Sequence, residues 1–345
     1  MKKPKQYPHA GYQGDYLSRR DVLKRALVLG GVGAAGVYLA YAPEHHPLSL
    51  RDRTGLRGMP VEDPFQLPDF RVAATNRNVQ VGVGRGGTAR EMLLKALDAV
   101  GGLAHFVQPG DVVLIKPNVA FDRSPNLGAT TNPAIIDTLV RLLLVDARAA
   151  EVRVADNPIE SPADCFAKSG IGAAAEQAGG RVYLPDPNAF EPLYTPGARL
   201  IEQWAFFKRP FKNVNKVIGI APAKDHNLCH ASLGIKNWYG LLGGRRNQFH
   251  QDIHEIVSDL SIMIRPTLTI VDGTRVLMEN GPTGGDPANV RDGNAILVGL
   301  DPVAMDAWAF EHLLLRPGRL PEYLYKAEQK GSGKVNYTDR IKVIT

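Results

Sequence analysis

From residue 79 onward, short apolar runs alternate with amphipathic stretches. Residues 79–83 (VQVGV) read as a strand and Gly84-Arg85-Gly86-Gly87 as a loop. Thr88 suits a helix cap, and the helix runs to about Val100 with Met92, Leu93, Ala96 and Leu97 on one face. Residues 111–116 (DVVLIK) read as a buried strand bounded by Pro109-Gly110. Asn132-Pro133 starts the next helix with a capping side chain and a first-turn proline. That helix carries Ile135, Ile136, Leu139, Leu142 and Leu143. Residues 152–155 form a further strand, closed by Asp156-Asn157-Pro158, and 217–220, 268–271 and 295–298 add three more. Alternation at these lengths predicts an α/β fold in three layers: a largely parallel sheet covered by helices on both faces.

Upstream the pattern fails. Residues 43–78 hold five prolines, many charges and no sustained period, so they read as a linker or an extended arm wrapped on the domain. Residues 1–42 read as an address. Ser18-Arg19-Arg20-Asp21-Val22-Leu23-Lys24 precedes an uncharged, weakly hydrophobic run at 26–42, and Ala40-Tyr41-Ala42 fits a small-x-small cleavage site. The segment resembles a twin-arginine export signal, which implies passage through the twin-arginine translocase and a periplasmic or extracytoplasmic location. The alternative is an uncleaved anchor at 26–42, a run marginal for spanning a bilayer. The domain is then expected over 79–345.

Composition narrows the functional classes. The chain carries a formal charge of +6, but seven basic and two acidic residues within 1–42 supply +5 of it. The remainder is nearly neutral, which argues against a nucleic-acid partner. Two cysteines, Cys165 and Cys229, exclude a disulfide framework and an all-cysteine iron–sulfur cluster within one chain.

Candidate chemistry collects where ligands of open parallel sheets sit, just past the carboxyl ends of strands. Lys116-Pro117-Asn118, Asp156-Asn157, Lys224-Asp225-His226, Asp272-Gly273 and Asp301 all hold such positions. Lys116, Lys224 and Lys236 are suited to hold carboxylate or phosphate oxygens, and a lysine whose pKa is lowered by burial can act as a base. His226 is a candidate proton-transfer group, with Asn237 beside Lys236. Gly84 and Gly86, in the first strand-to-helix turn, offer backbone N–H groups to an anion, although the spacing is not that of a P-loop. With Asn118, Asp156 and Asp272 they form the candidate cofactor-binding set. His226/His230 and His250/His254 have the i,i+4 spacing that places two imidazoles on one helix face; with Cys229 they form a candidate divalent-metal set, the alternative being structural histidines.

Several of these segments resemble one family. Residues 112–118 (VVLIKPN), Lys224-Asp225-His226 followed by Ile235-Lys236-Asn237 and Gly240, Val271-Asp272-Gly273 with Gly281-Pro282 and Gly284, and 301–307 (DPVAMDA) look like the motifs of the domain-of-unknown-function 362 family. The resemblance covers about 79–315 in order. It implies the fold and a candidate site, with His250 where members usually carry a histidine in the following helix. Many members have a cysteine-rich segment and are described as iron–sulfur proteins, and this sequence lacks those cysteines. The functional expectation is an exported enzyme or cofactor protein acting on an anionic small molecule in redox metabolism. The alternative is a non-catalytic metal- or cofactor-binding accessory of a membrane-associated redox complex.

Overall fold

The computed structural model describes residues 63–76 and 78–345, so the export-signal reading of residues 1–42 and most of the 43–78 arm fall outside the described residues. In chain order the strands are β1 (Val81–Arg85), β2 (Val112–Lys116), β3 (Glu151–Ala155), β4 (Arg181–Tyr183), β5 (Phe190–Tyr194), β6 (Gln203–Phe207), β7 (Lys216–His226), β8 (His230–Ser232), β9 (Leu268–Leu277), β10 (Val290–Arg291), β11 (Ala295–Gly299) and β12 (Ile341–Ile344). The helices are α1 (Ala89–Ala99), α2 (Leu103–Phe106), α3 (Pro133–Arg141), α4 (Pro162–Lys168), α5 (Ile171–Gln177), α6 (Gly234–Asn237), α7 (Ile253–Met263), α8 (Pro302–His312) and α9 (Glu322–Gln329).

The main sheet has the order β12-β1-β11-β9-β7-β2-β3-β4, and along this path only β11 runs against the rest. Side chains alternate between two cores. Leu114, Val217, Val271 and Leu297 face the layer built by α7, α8 and α9, while Ile115, Ile218, Ile270 and Ile296 face α1, α3, α4 and α5. This is the expected three-layer arrangement. Thr88 caps α1 as predicted: it accepts from the Glu91 N–H while Glu91 accepts from the Thr88 N–H at 2.7 Å. Asn132 caps α3, whose last turn continues into a π-turn at Leu142–Asp146.

Among the described arm residues, Phe65 bridges to Leu193 and Phe70 is buried in the larger core. No described helix is long and apolar enough to cross a membrane.

Helix α6 is one turn long and depends on its surroundings. The Asp306 carboxyl, fully buried on α8, accepts from the Gly234 and Ile235 N–H groups at 2.8 and 3.1 Å. Burial raises Asp306 to about 7 against the opposing effect of these bonds. The folded protein therefore holds a proton there up to about pH 7, whereas the unfolded chain releases it near 3.8. This contribution to stability is complete at low pH and is lost as pH rises toward 7. The stability of wild type relative to Asp306→Asn is expected to fall by more than ~1 kcal/mol between pH 4.5 and 7.5 in urea titrations. A difference that stays flat over that range would disprove the assignment.

Candidate functional site

The chain leaves β2 for β3 and β4 on one side, then returns to lay β7 on the other side of β2. The two central strands send their following helices to opposite faces, α3 to one core and α7 to the other. Such a reversal opens a crevice above the strand carboxyl ends. Lys116 is the last residue of β2, Asp156 follows β3, and Lys224 and His226 end β7. The pairing of β7 with β9 shifts register between Pro222 and Lys224, an irregularity that re-aims side chains. Helix α6 brings Lys236 and Asn237 to the same place.

These residues form one buried polar chain. Lys116 Nζ lies 2.7 Å from Asp156 Oδ1 and donates to Asn237 Oδ1 at 2.9 Å and to the Pro117 carbonyl at 2.8 Å. Asn237 Nδ2 donates to the Lys116 and Ile220 carbonyls at 3.2 and 3.1 Å, which fixes its amide with the oxygen toward the lysine. That oxygen also accepts from Asn118 Nδ2 at 3.1 Å. Asn118 Oδ1 in turn accepts from Lys224 Nζ at 3.1 Å, and Lys224 donates again to the Ala129 carbonyl at 2.7 Å. The remaining Asp156 oxygen accepts from the Val119 N–H at 2.7 Å. Gly240 closes over the pair: a Cβ there would lie 2.1 Å from Asp156 Oδ1 and 2.7 Å from Lys116 Nζ.

Charge is unbalanced in this region. Arg246 also belongs to it and spends its guanidinium on the carbonyls of Tyr239, Leu242, Asn157 and Pro158 at 2.7–3.2 Å. Four basic side chains, Lys116, Lys224, Lys236 and Arg246, thus share this region with the Asp156 carboxylate, which pairs with Lys116, while Asp225 is paired with Arg316 at 2.7 Å. Lys236 is 9 % exposed; its ammonium has no hydrogen-bond acceptor among the described residues and faces the Tyr239 ring at 5.2 Å. Burial pushes all three lysines below the usual lysine range. The effect is large for Lys224, where Lys236 and Lys116 add to it, and is opposed at Lys116 by Asp156. Burial also holds His226 neutral, down to about 2, with Lys236 and Lys224 adding their repulsion. His226 Nδ1 accepts from the Leu228 N–H at 3.2 Å, so the neutral ring carries its proton on Nε2.

The profile of the family described as Domain of unknown function (DUF362) matches residues 113–311, more than half of the chain and all of the buried polar chain just described. The chain belongs to the DUF362 family. The DUF362 chain is also similar to a thylakoid-associated protein of Synechocystis sp., at 26% identity over 250 residues, covering 68% of this chain and 73% of the relative. Among solved structures, the lactate racemase apoprotein from Thermoanaerobacterium thermosaccharolyticum matches with a TM-score of 0.32 and 15% identity, over 60% of this chain and 52% of that one. A Thermotoga maritima protein matches with a TM-score of 0.30 and 12% identity, over 66% of this chain and 56% of that one. The DUF362 chain spans about half the length of these solved structures.

Not every residue singled out in the sequence joins the polar chain. In the DUF362 domain, Gly84 serves packing: a Cβ there would lie 2.0 Å from the Met92 carbonyl, so the glycine admits α1 against β1. At Gly86 the carbonyls of Arg85 and Gly86 take the Lys95 ammonium, and the Thr88 N–H is taken by Glu91, so the turn is not a free anion cradle. Asp272 accepts from the Asn132 and Thr274 N–H groups at 2.9 Å each and ties the α3 cap to β9, away from the lysines.

The five candidate metal ligands do not form a ligand set. Among the described residues no group of three histidine, cysteine or acidic side chains is placed to hold an ion. His226 and His230 are cross-strand partners in the β7–β8 hairpin and share no helix face. The rings stack across the two pairs instead, His226 on His250 at 6.5 Å and His230 on His254 at 6.2 Å. Cys229 is buried and directs its thiol to the Ala231 carbonyl at 3.1 Å.

Tyr239, Gly240 and Arg246 are the site residues that sequence reasoning missed. Gly240 stood in a recognised motif, and Arg246 follows the Gly243-Gly244 turn, but nothing local shows that either faces Asp156.

Proposed function

We propose that this DUF362 protein binds a small anionic molecule, a carboxylate or phosphate, against Lys236 and moves a proton on it. The observation that carries the reading is a buried lysine without an acceptor, Lys236, clustered with two engaged cations, Lys116 and Arg246, with Lys224, which burial pushes toward its neutral form, and with one carboxylate, Asp156. A fold tolerates such crowding when an anion completes the charge balance, since two like charges 4 Å apart repel by about 1 kcal/mol even in water and more when buried. Lys116 is committed to Asp156. Lys224 and His226, both held toward their neutral forms, are the proton carriers, and Asn118 and Asn237 fix their positions.

Lys236→Met keeps the packing over Tyr239 and removes the unpaired charge. It is expected to abolish stabilisation by carboxylate or phosphate anions in thermal-shift titrations while leaving the apo melting temperature unchanged or slightly raised. A variant that melts several degrees lower would make Lys236 a structural residue.

Residues 18–42 carry the companion proposal that the protein is exported folded by the twin-arginine route. Lys substitution at Arg19 and Arg20 together preserves charge and is expected to retain the protein in the cytoplasm on fractionation. Export of the doubly substituted protein would refute it. The relative's description as thylakoid-associated favours a second reading, a non-catalytic accessory at a membrane. Chemical turnover of a bound anion would exclude that role.

A further inference from the structure

His226 has two neighbourhoods. On one side is the lysine cluster, and on the other it lines a cavity of about 640 Å³. Phe310, Leu320 and Pro321 give this cavity an apolar wall. Two acids, Asp225 and Glu322, reach it, and both are engaged. Asp225 pairs with Arg316 and accepts from the Gly281 N–H at 2.9 Å, and Glu322 lies 3.5 Å from Lys326. Arg316 is engaged as well, by the Asp225 carboxylate and the His230 and Met278 carbonyls. Arg319 differs: it is exposed at the cavity and has no hydrogen-bond or ion-pair partner among the described residues.

His254 shares the cavity, its ring stacked on His230 at 6.2 Å and on Tyr323 at 6.4 Å. Its Nδ1 is buried with no partner. A bare lone pair costs less there than a bare N–H, so the neutral ring carries its proton on Nε2, as His226 does. Helix α9 begins at the same wall without a side-chain cap. Lys236 and Arg319 are thus both unpaired among the described residues: Arg319 lines the cavity with His226, and Lys236, which does not line it, is joined to His226 through the neighbouring Tyr239 and His250 rings.

Resting on the anion-binding reading above, we infer that the cavity is the outer half of the same site and that the ligand is an organic dianion. One anionic group sits on Lys236, the second on Arg319 and the His254 ring, and an apolar body joins them along Phe310, Leu320 and Pro321. Each end takes a carboxylate or a phosphate-type group, because a guanidinium and an ammonium serve both.

The test is calorimetric titration of the full-length protein with linear α,ω-dicarboxylates of increasing length, the matched monocarboxylates, and the same chains ending in a phosphonate. At one chain length the doubly charged probe is expected to bind at least tenfold more tightly than the monocarboxylate. Arg319→Gln, an exposed change that leaves the fold alone, should reduce that advantage to twofold or less while monocarboxylate affinity holds. Lys236→Met should remove both. If single and double anions bind equally to the wild type, or the advantage survives Arg319→Gln, the inference falls and the anion site at Lys236 stands. If no probe of any class binds, the anion-binding reading falls and the inference goes with it.

Discussion

Alanine at position 240 is expected to cost about 3–5 kcal/mol of stability, the range for breaking a buried ion pair. The added carbon would lie 2.1 Å from Asp156 Oδ1 and 2.7 Å from Lys116 Nζ, and neither group has room to yield. Asp156 and Lys116 are each 1 % exposed. If the carboxylate swings away, Lys116 keeps its buried charge without a counter-ion, and the Val119 N–H at 2.7 Å loses its acceptor. If the backbone moves instead, the Gly240 carbonyl lets go of the Asn157 N–H, now at 2.9 Å. Equilibrium unfolding in urea reads the effect directly. A Gly240→Ala protein within ~1 kcal/mol of wild type would mean that the pair has slack, and the description of a closed polar chain would be wrong.

Lys330→Met, at a second ionic cluster on α7, should be of comparable severity. The Lys330 ammonium donates to Glu255 Oε1 at 2.9 Å, to Ser258 Oγ at 2.8 Å and to the Asp259 carboxylate. Asp259 is fully buried and also accepts from the Arg199 and Leu200 N–H groups, at 3.0 and 2.6 Å. Removing the cation leaves two carboxylates one helical turn apart, with Lys326 at 3.0 Å on Glu255 as partial relief. The expected loss is about 3–5 kcal/mol at pH 7. Its pH dependence identifies the cause. Burial would raise Glu255, but the hydrogen bonds from Lys330 and Lys326 outweigh it and hold the carboxyl below its usual 4.5. That stabilisation is present above pH 4.5 and fades as pH falls through the folded value. The difference between wild type and Lys330→Met should therefore shrink on acidification. A difference independent of pH would point to lost packing of the lysine stem.

The sheet's central strands were legible because they are buried on both faces and read as unbroken apolar runs: β2, β3, β7, β9 and β11 all lie near their expected places. The edges were not. β4 is three residues long and β12 pairs with β1 across more than 250 residues of chain, and β5, in a separate two-stranded sheet with β6, contains Pro192. The histidine spacing misled because i,i+4 is also the separation produced by a tight β-hairpin. His230 takes a left-handed φ of 67°, which the sequence around it does not signal. Lys116, Asn118, Asp156, Lys224, Lys236 and Asn237 were recognisable by their positions at strand ends and in the motifs. Which acid would answer the lysines was not. In the sequence Asp156 and Asp272 both close apolar runs, but β9 continues through Asp272 to Leu277, and strand order brings Asp156 to Lys116 while Asp272 is spent on the α3 cap.

The pairing of β1 has a consequence for synthesis. β1 touches only β11 and β12 within the sheet, so it has no sheet partner until residues 295–299 and then 341–344 have followed it from the ribosome. The core from β2 through β9, with α1 packed on it, can assemble during translation, whereas β1 waits for its sheet partners. Closure of this edge of the sheet therefore waits for residues 341–344. A product lacking residues 341–344 would carry an open edge at β1, a surface that chaperones and proteases read as unfinished.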